Sequence, residues 1–175
     1  MSPHDDDLRS AEVPATADVP ATADVYDEFG ERYQSLPLQL RSFGGRIRFS
    51  GTVRTVRCFE DNALLKSVLG TPGDGAVLVV DGGGSLAAAL IGDIIGDLAV
   101  ANGWAGVVVN GAVRDRVALA GLDLGVRALG TNPRRGSRTG EGEADVVVTI
   151  AGVEVRPGAM LWSDEDGILV ERVGA

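Results

Sequence analysis

Two short, unbroken apolar runs limit what this chain can become. Residues 76–80 (Ala-Val-Leu-Val-Val) and 106–109 (Gly-Val-Val-Val) contain no polar residue, and a glycine-bearing segment lies on either side of each. A run without polar alternation suits a strand covered on both faces, the usual state of strands in parallel sheets. Between the two lies a helical pattern, in which Gly92 opens a stretch carrying Ile94, Ile95, Leu98, Val100 and Ala101, closed by Asn102-Gly103. Strand, helix, strand in that order predicts an α/β domain. Aromatic residues make up only 5% of the chain against 45% apolar residues overall, so the core must be built from Val, Leu, Ile and Ala.

The remaining pattern agrees with sheets packed with helices. Thr22 is placed to cap a short helix through Val25, Tyr26, Glu28 and Phe29. Residues 46–49 and 52–56 alternate around Ser50-Gly51 and read as two paired strands with a tight turn. Asp61 or Asn62 caps a helix carrying Leu64, Leu65, Val68 and Leu69, ended by Gly70 and Pro72. Residues 115–121 suggest a short helix and 125–129 a further strand. Residues 131–144 form a long Gly/Arg/Thr loop, and 145–170 read as short strands with turns at Gly152, Pro157-Gly158 and 164–167. Residues 1–21 are acidic and Pro/Ala/Thr-rich, with the hexamer Pro-Ala-Thr-Ala-Asp-Val at 14–19 and again at 20–25. They are expected to be a flexible tail ahead of one domain over 22–175, a length that closes a core without disulfides or metal staples.

Charge and scarcity narrow the chemistry. The formal charge is −9, and the only local basic run is Arg134, Arg135 and Arg138, in the long loop. Nucleic-acid binders need a basic face to neutralise phosphates, so no direct nucleic-acid partner is expected. The first residues lack a basic segment followed by an apolar one, and no apolar run is long enough to span a membrane, so the expected location is the cytoplasm. His4 is the only histidine, Lys66 the only lysine and Cys58 the only thiol. That leaves no Ser-His-Asp triad, Cys-His pair or His-rich zinc site within one chain. Carboxylate, arginine, hydroxyl and backbone chemistry remain, which suits a hard, oxygen-ligated cation such as Mg²⁺ or Mn²⁺.

Two segments could carry a site. The turn Asp81-Gly82-Gly83-Gly84-Ser85 follows a strand, but it is not a Gly-x-Gly-x-x-Gly fingerprint and no Gly-Lys-Ser/Thr is present, so it reads as a tight turn with no cofactor. The second segment is the stronger. Gly92, Asp93, Ile94 and Ile95 form a first helical turn whose free N–H groups and dipole favour an anion. Asn110-Gly111-Ala112-Val113-Arg114-Asp115 follows the strand at 106–109, at the strand end where α/β folds place ligands. Arg114 can take a carboxylate or enolate oxygen through its fork. Asp115 can bind a divalent cation, with Asp93 accepting from a water on that cation. The plainer alternative is a salt bridge with a helix cap at Asp115. Lys66 is distant in sequence and reads as a solvated or packing residue.

The chain resembles the RraA-like family, which includes regulators of ribonuclease activity and metal-dependent 4-hydroxy-4-methyl-2-oxoglutarate aldolases. The matching segments are Phe43-Gly44-Gly45-Arg46, Thr55-Val56-Arg57-Cys58-Phe59-Glu60-Asp61-Asn62 and Val79-Val80-Asp81-Gly82-Gly83-Gly84-Ser85. They continue with Gly111-Ala112-Val113-Arg114-Asp115 and Ser163-Asp164-Glu165-Asp166-Gly167, so that the likeness covers about residues 22–171. The spacing is that of the aldolases: Asp93, twenty intervening residues, then Arg114-Asp115.

The resemblance implies a swivelling β/β/α domain assembled as a homotrimer, with pairing into hexamers allowed. It implies Asp115 as the ligand to Mg²⁺ or Mn²⁺, Arg114 as a catalytic and substrate-binding group, the Gly92, Asp93, Ile94 and Ile95 segment as the substrate cradle, and Asp93 as the catalytic residue that orients water. The implied activity is a class II lyase on small 2-oxo acids, an aldolase or oxaloacetate decarboxylase releasing pyruvate. The other implied function is a regulator that binds an RNase E-like endonuclease. A methyltransferase of menaquinone synthesis, a further label in the family, finds no cofactor motif here. The aldolases carry an acidic residue in extra C-terminal sequence that this chain lacks; Glu141, Glu143 and Glu171 are candidates to replace it.

Overall fold

A computed structural model describes residues 18–174. Most of the acidic tail therefore lies outside the described residues, but Val19 is buried with Val25, Tyr33, Trp162 and Leu169 in a small apolar cluster. The chain opens with α1 (Thr22–Phe29) and a single 3-10 turn, followed by β1 (Tyr33–Ser35) and β2 (Arg41–Ser42). It continues with β3 (Phe49–Arg57), α2 (Ala63–Leu69), β4 (Val77–Asp81), β5 (Ala89–Ile91), α3 (Asp93–Ala101), β6 (Gly106–Val113), α4 (Arg116–Ala120) and β7 (Gly125–Thr131). The C-terminal part is all strand: β8 (Glu143–Ala144), β9 (Val148–Ile150), β10 (Val153–Val155), β11 (Met160–Ser163) and β12 (Ile168–Glu171).

These strands form one large mixed sheet in the order β1-β12-β11-β3-β4-β6-β7-β2, with β5 paired to β6 and β8 to β3, beside a β9–β10 hairpin. The parallel centre is β3, β4, β6 and β7, and antiparallel pairs flank it. The apolar run at 76–80 shows why that centre needs no polar alternation. Leu78 and Val80 face a core shared with Leu65, Leu69, Ile95 and Ala99 of α2 and α3. Val77 and Val79 face the opposite way, against Val148, Ile150 and Val155 of the hairpin. Both faces of the strand are thus dry. The molecule is a mixed α/β domain with a sheet-rich core, helices on one side and a β-layer on the other.

Two sequence expectations need correction. The alternation around Ser50-Gly51 is not a hairpin, because β3 runs through it without a break and pairs with β11 on one side and β4 on the other. Gly51 serves close approach instead of a turn, since a Cβ there would lie 2.3 Å from the Gly75 carbonyl oxygen. Thr22 does not cap α1. The N-cap is Ala21, and the Thr22 N–H and Oγ1 donate to Asp164 at 2.7 and 2.8 Å, which ties the helix to the 164–167 turn. No helix among the described residues is long and apolar enough to cross a membrane.

Candidate functional site

The parallel pairing of β5 with β6 brings the two halves of the site together. Ala89 stands beside Ala112 and Ile91 beside Val113, and the Arg114 N–H donates to the Ile91 carbonyl at 2.9 Å. The residues that leave these strands, Gly92-Asp93 and Arg114-Asp115, therefore emerge side by side although twenty residues separate them in sequence. The Asp93 N–H donates to Asp115 Oδ2 at 3.1 Å, and the Ile94 N–H donates to Asp93 Oδ1 at 2.8 Å. Arg114 Nε lies 3.9 Å from Asp115 Oδ2, and its Nη1 donates weakly to the Pro133 carbonyl at 3.4 Å. Asp115 sits in the left-handed region at φ 55°, a conformation that aspartate tolerates better than most residues. Gly92 leaves room for this carboxylate, since a Cβ there would lie 2.6 Å from Asp115 Oδ2 and displace it.

This corner opens onto a cavity of about 440 Å³, within the usual range for small-molecule sites. Gly92, Asp93, Ile94, Ile95 and Arg114 all line it. Asp115 stands beside the cavity behind Gly92 and does not form its wall. Lys66 is exposed on α2, in keeping with a solvated residue, and lines this same cavity, where Arg138 of the long loop joins it. Sequence separation hid Lys66, and Arg138 was visible only as part of a basic run. Glu141, Glu143 and Glu171 do not line the cavity. Glu143 pairs with Arg57 at 2.6 Å, and buried Glu171 pairs with Arg32 at 3.2 Å and accepts from the Met160 N–H.

The donor set suits one kind of cation. Among the described residues no group of three or more His, Cys, Asp or Glu side chains converges on a metal position. Asp115 offers a half-exposed carboxylate whose Oδ1 accepts no hydrogen bond among the described residues. One carboxylate with open space beside it fits Mg²⁺ or Mn²⁺, which keep waters and take ligands from substrate. A closed tetrahedral zinc site has no basis here.

Buried Asp61, 2% exposed, braces the rim. Its carboxylate accepts from the Ala63 N–H at the start of α2, from Ser137 Oγ, from Thr139 Oγ1 and N–H, and from the Gly140 N–H. Burial pushes its pKa up, but these donors outweigh burial and hold it well below the usual carboxylate range. Cys58 is pushed up to about 12 by burial, reinforced by the charges of Asp61 and Asp81, so its thiol is a poor nucleophile. The glycine turn is satisfied internally: the Gly82 and Gly84 N–H groups donate to the Asn110 carbonyl and the Gly83 N–H to Asp81 Oδ1.

The profile described as Aldolase/RraA, for RraA-like proteins, matches residues 22–170. The chain belongs to the RraA-like family. A structure described as the RNA-processing inhibitor RraA from Thermus thermophilis is 49% identical, with a TM-score of 0.85 over 87% of this chain and 92% of that one. A Geobacillus kaustophilus structure described as an S-adenosylmethionine:2-dimethylmenaquinone methyltransferase is 42% identical, with a TM-score of 0.85 over 87% and 94%. Streptomyces coelicolor RraAS2, described as an unusual member of the RNase ES inhibitor RraA family, is 29% identical, with a TM-score of 0.71 over 90% and 83%.

Not every RraA-like segment belongs to the site. Arg46 forms a two-pronged pair with Asp123 at 2.7 and 3.1 Å, holding the start of the domain against the loop after α4. In the RraA-like motif near the C-terminus, Asp164 receives Thr22 as well as the Asp166 and Gly167 N–H groups. These contacts hold the fold together, whereas Asn62, Asp93 and Arg114 line the cavity and Asp115 stands beside it.

Proposed function

We propose that this RraA-like protein is a divalent-metal-dependent lyase that cleaves small 2-oxo acids and releases pyruvate, as a 4-hydroxy-4-methyl-2-oxoglutarate aldolase and oxaloacetate decarboxylase do. The observation that carries this reading is the Arg114-Asp115 pair set against the first turn of α3 at a cavity of about 440 Å³. Asp115 would hold Mg²⁺ or Mn²⁺, and the cation would supply Lewis-acid stabilisation of negative charge. In the decarboxylation of oxaloacetate, the bond from C3 to the departing carboxylate breaks. Its electron pair passes into the pyruvyl unit as an enolate while CO₂ leaves. The Arg114 guanidinium takes the developing enolate oxygen. The positive end of α3, at Gly92 to Ile95, favours the substrate's C1 carboxylate. Asp93, exposed on the cavity, orients a water that returns a proton to C3 and completes pyruvate, and the hydroxide left behind is reprotonated from solvent.

In the same reading the domain is of the swivelling β/β/α type, assembles as a homotrimer and works in the cytoplasm. Ile94 and Val117, 67% and 87% exposed beside the site, support a protein–protein contact there. The test is pyruvate release from oxaloacetate with and without Mg²⁺, corrected for the metal-catalysed reaction without protein. Metal-dependent turnover lost at least 100-fold in Asp115→Ala is expected, on the order of removing a principal electrostatic group. No metal-dependent turnover, or turnover unchanged in that variant, would sink the proposal.

A second reading, a regulator that binds an RNase E-like endonuclease, is favoured by the description of the Thermus thermophilis relative. Capture of the protein by such an endonuclease scaffold, undiminished in Asp115→Ala, would support it. The methyltransferase description of the Geobacillus kaustophilus relative finds less support, because the glycine turn spends its N–H groups on Asn110 and Asp81.

A further inference from the structure

Three cationic side chains, Lys66, Arg114 and Arg138, line one cavity. Seven arginines (Arg32, Arg46, Arg48, Arg54, Arg57, Arg156 and Arg172) pair with carboxylates elsewhere on the molecule. Lys66 and Arg138, like Arg41, Arg116, Arg127, Arg134 and Arg135, form no salt bridge among the described residues; of these, Lys66 and Arg138 line the cavity beside Arg114. The lining thus carries three cationic side chains and one acid, Asp93, in a chain whose formal charge is −9. One carboxylate holds both positions: Asp61 accepts from the Ala63 N–H, which starts the helix bearing Lys66, and from Ser137, Thr139 and Gly140, which flank Arg138.

We infer that Lys66 and Arg138 form a second anion subsite, which holds the distal carboxylate of a dicarboxylic 2-oxo acid. The inference rests on the lyase reading, in which Arg114, the α3 N-terminus and a cation at Asp115 serve the 2-oxo head. Those groups already match the charge of the head, so two further cations on the same wall have a second negative group to meet. A monocarboxylic ligand leaves them unused. The cavity therefore selects for dicarboxylates, and Asp61 is the positioning residue that keeps the two cations in place.

Titration calorimetry with saturating Mg²⁺ tests this, using pyruvate as the one-carboxylate probe and 2-oxoglutarate as the two-carboxylate probe. The wild-type protein is expected to bind 2-oxoglutarate about tenfold more tightly than pyruvate, the scale of one charge-assisted contact. Lys66→Gln and Arg138→Gln should each weaken 2-oxoglutarate three- to tenfold, a range of about that scale, and leave pyruvate within about twofold. Lys66→Arg should retain most of the preference, and thermal unfolding of each variant checks that the fold is intact. Equal weakening of both ligands would place these residues at the head group and overturn the subsite. Wild-type binding of both ligands with equal affinity, unchanged in the variants, would overturn the subsite and leave the lyase reading standing. Binding of neither ligand by the wild-type protein would overturn both.

Discussion

Gly92 and Asp61 show how single residues set this site. At Gly92 the backbone must pass so near Asp115 that an added Cβ would lie 2.6 Å from its Oδ2. Gly92→Ala should push that carboxylate off the Asp93 N–H. Metal-dependent turnover is then expected to fall about 10- to 100-fold, as displaced catalytic groups commonly cause. Thermal unfolding should move by only a few degrees, since the contact is exposed; a large fall in stability with normal turnover would contradict this account. Asp61 acts through stability. Its folded pKa is depressed, so its contribution is complete above the ordinary carboxylate pKa and is lost as pH falls below about 4 toward the folded value. Asp61→Asn should cost roughly 1–3 kcal/mol at pH 7, the range for losing charged acceptors of buried donors. The gap to wild type should narrow steadily from pH 4 to pH 2 in urea unfolding, and a gap constant across that range would mean that the carboxylate charge is irrelevant.

Among the elements, the decisive ones are β5, β6 and the start of α3. The apolar runs and the helical period made β4, β6 and α3 legible in the sequence, because burial on both faces and a 3.6-residue period leave direct marks on residue order. β3 departs from its sequence pattern for an equally physical reason. Ser50-Gly51 has the composition of a turn, and nothing local reveals that Gly51 is small because the Gly75 carbonyl passes over it. The same closeness recurs where Phe49 lies across the paired Gly106 and Gly125 of β6 and β7. A Cβ on Gly125 would sit 2.1 Å from the Phe49 ring. Gly125→Ala should therefore destabilise by roughly 1–3 kcal/mol through overpacking, with partial recovery when combined with Phe49→Leu. Urea unfolding of the single and double variants measures both, and additive losses would rule out this contact as the cause.

For the whole molecule, the proposed trimer makes a definite demand. Sedimentation equilibrium should give three times the chain mass of 18.1 kDa, and Val117→Asp, at an 87% exposed apolar position, should shift the population toward smaller species. A wild-type monomer at micromolar concentration would remove the trimer from the proposed function. By itself, the sequence determined the α/β class, the family likeness, and the short list of Gly92, Asp93, Ile94, Ile95, Arg114 and Asp115, because glycine turns, apolar runs and scarce side-chain types are properties of residue order. Only the tertiary structure decided that β5 and β6 lie side by side and that Asp115 stands behind Gly92 instead of in the cavity wall. It also decided that Lys66, on α2 and well before the α3 turn in sequence, shares that cavity with Arg138. Strand pairing and helix packing bring distant residues together through contacts that no local pattern records.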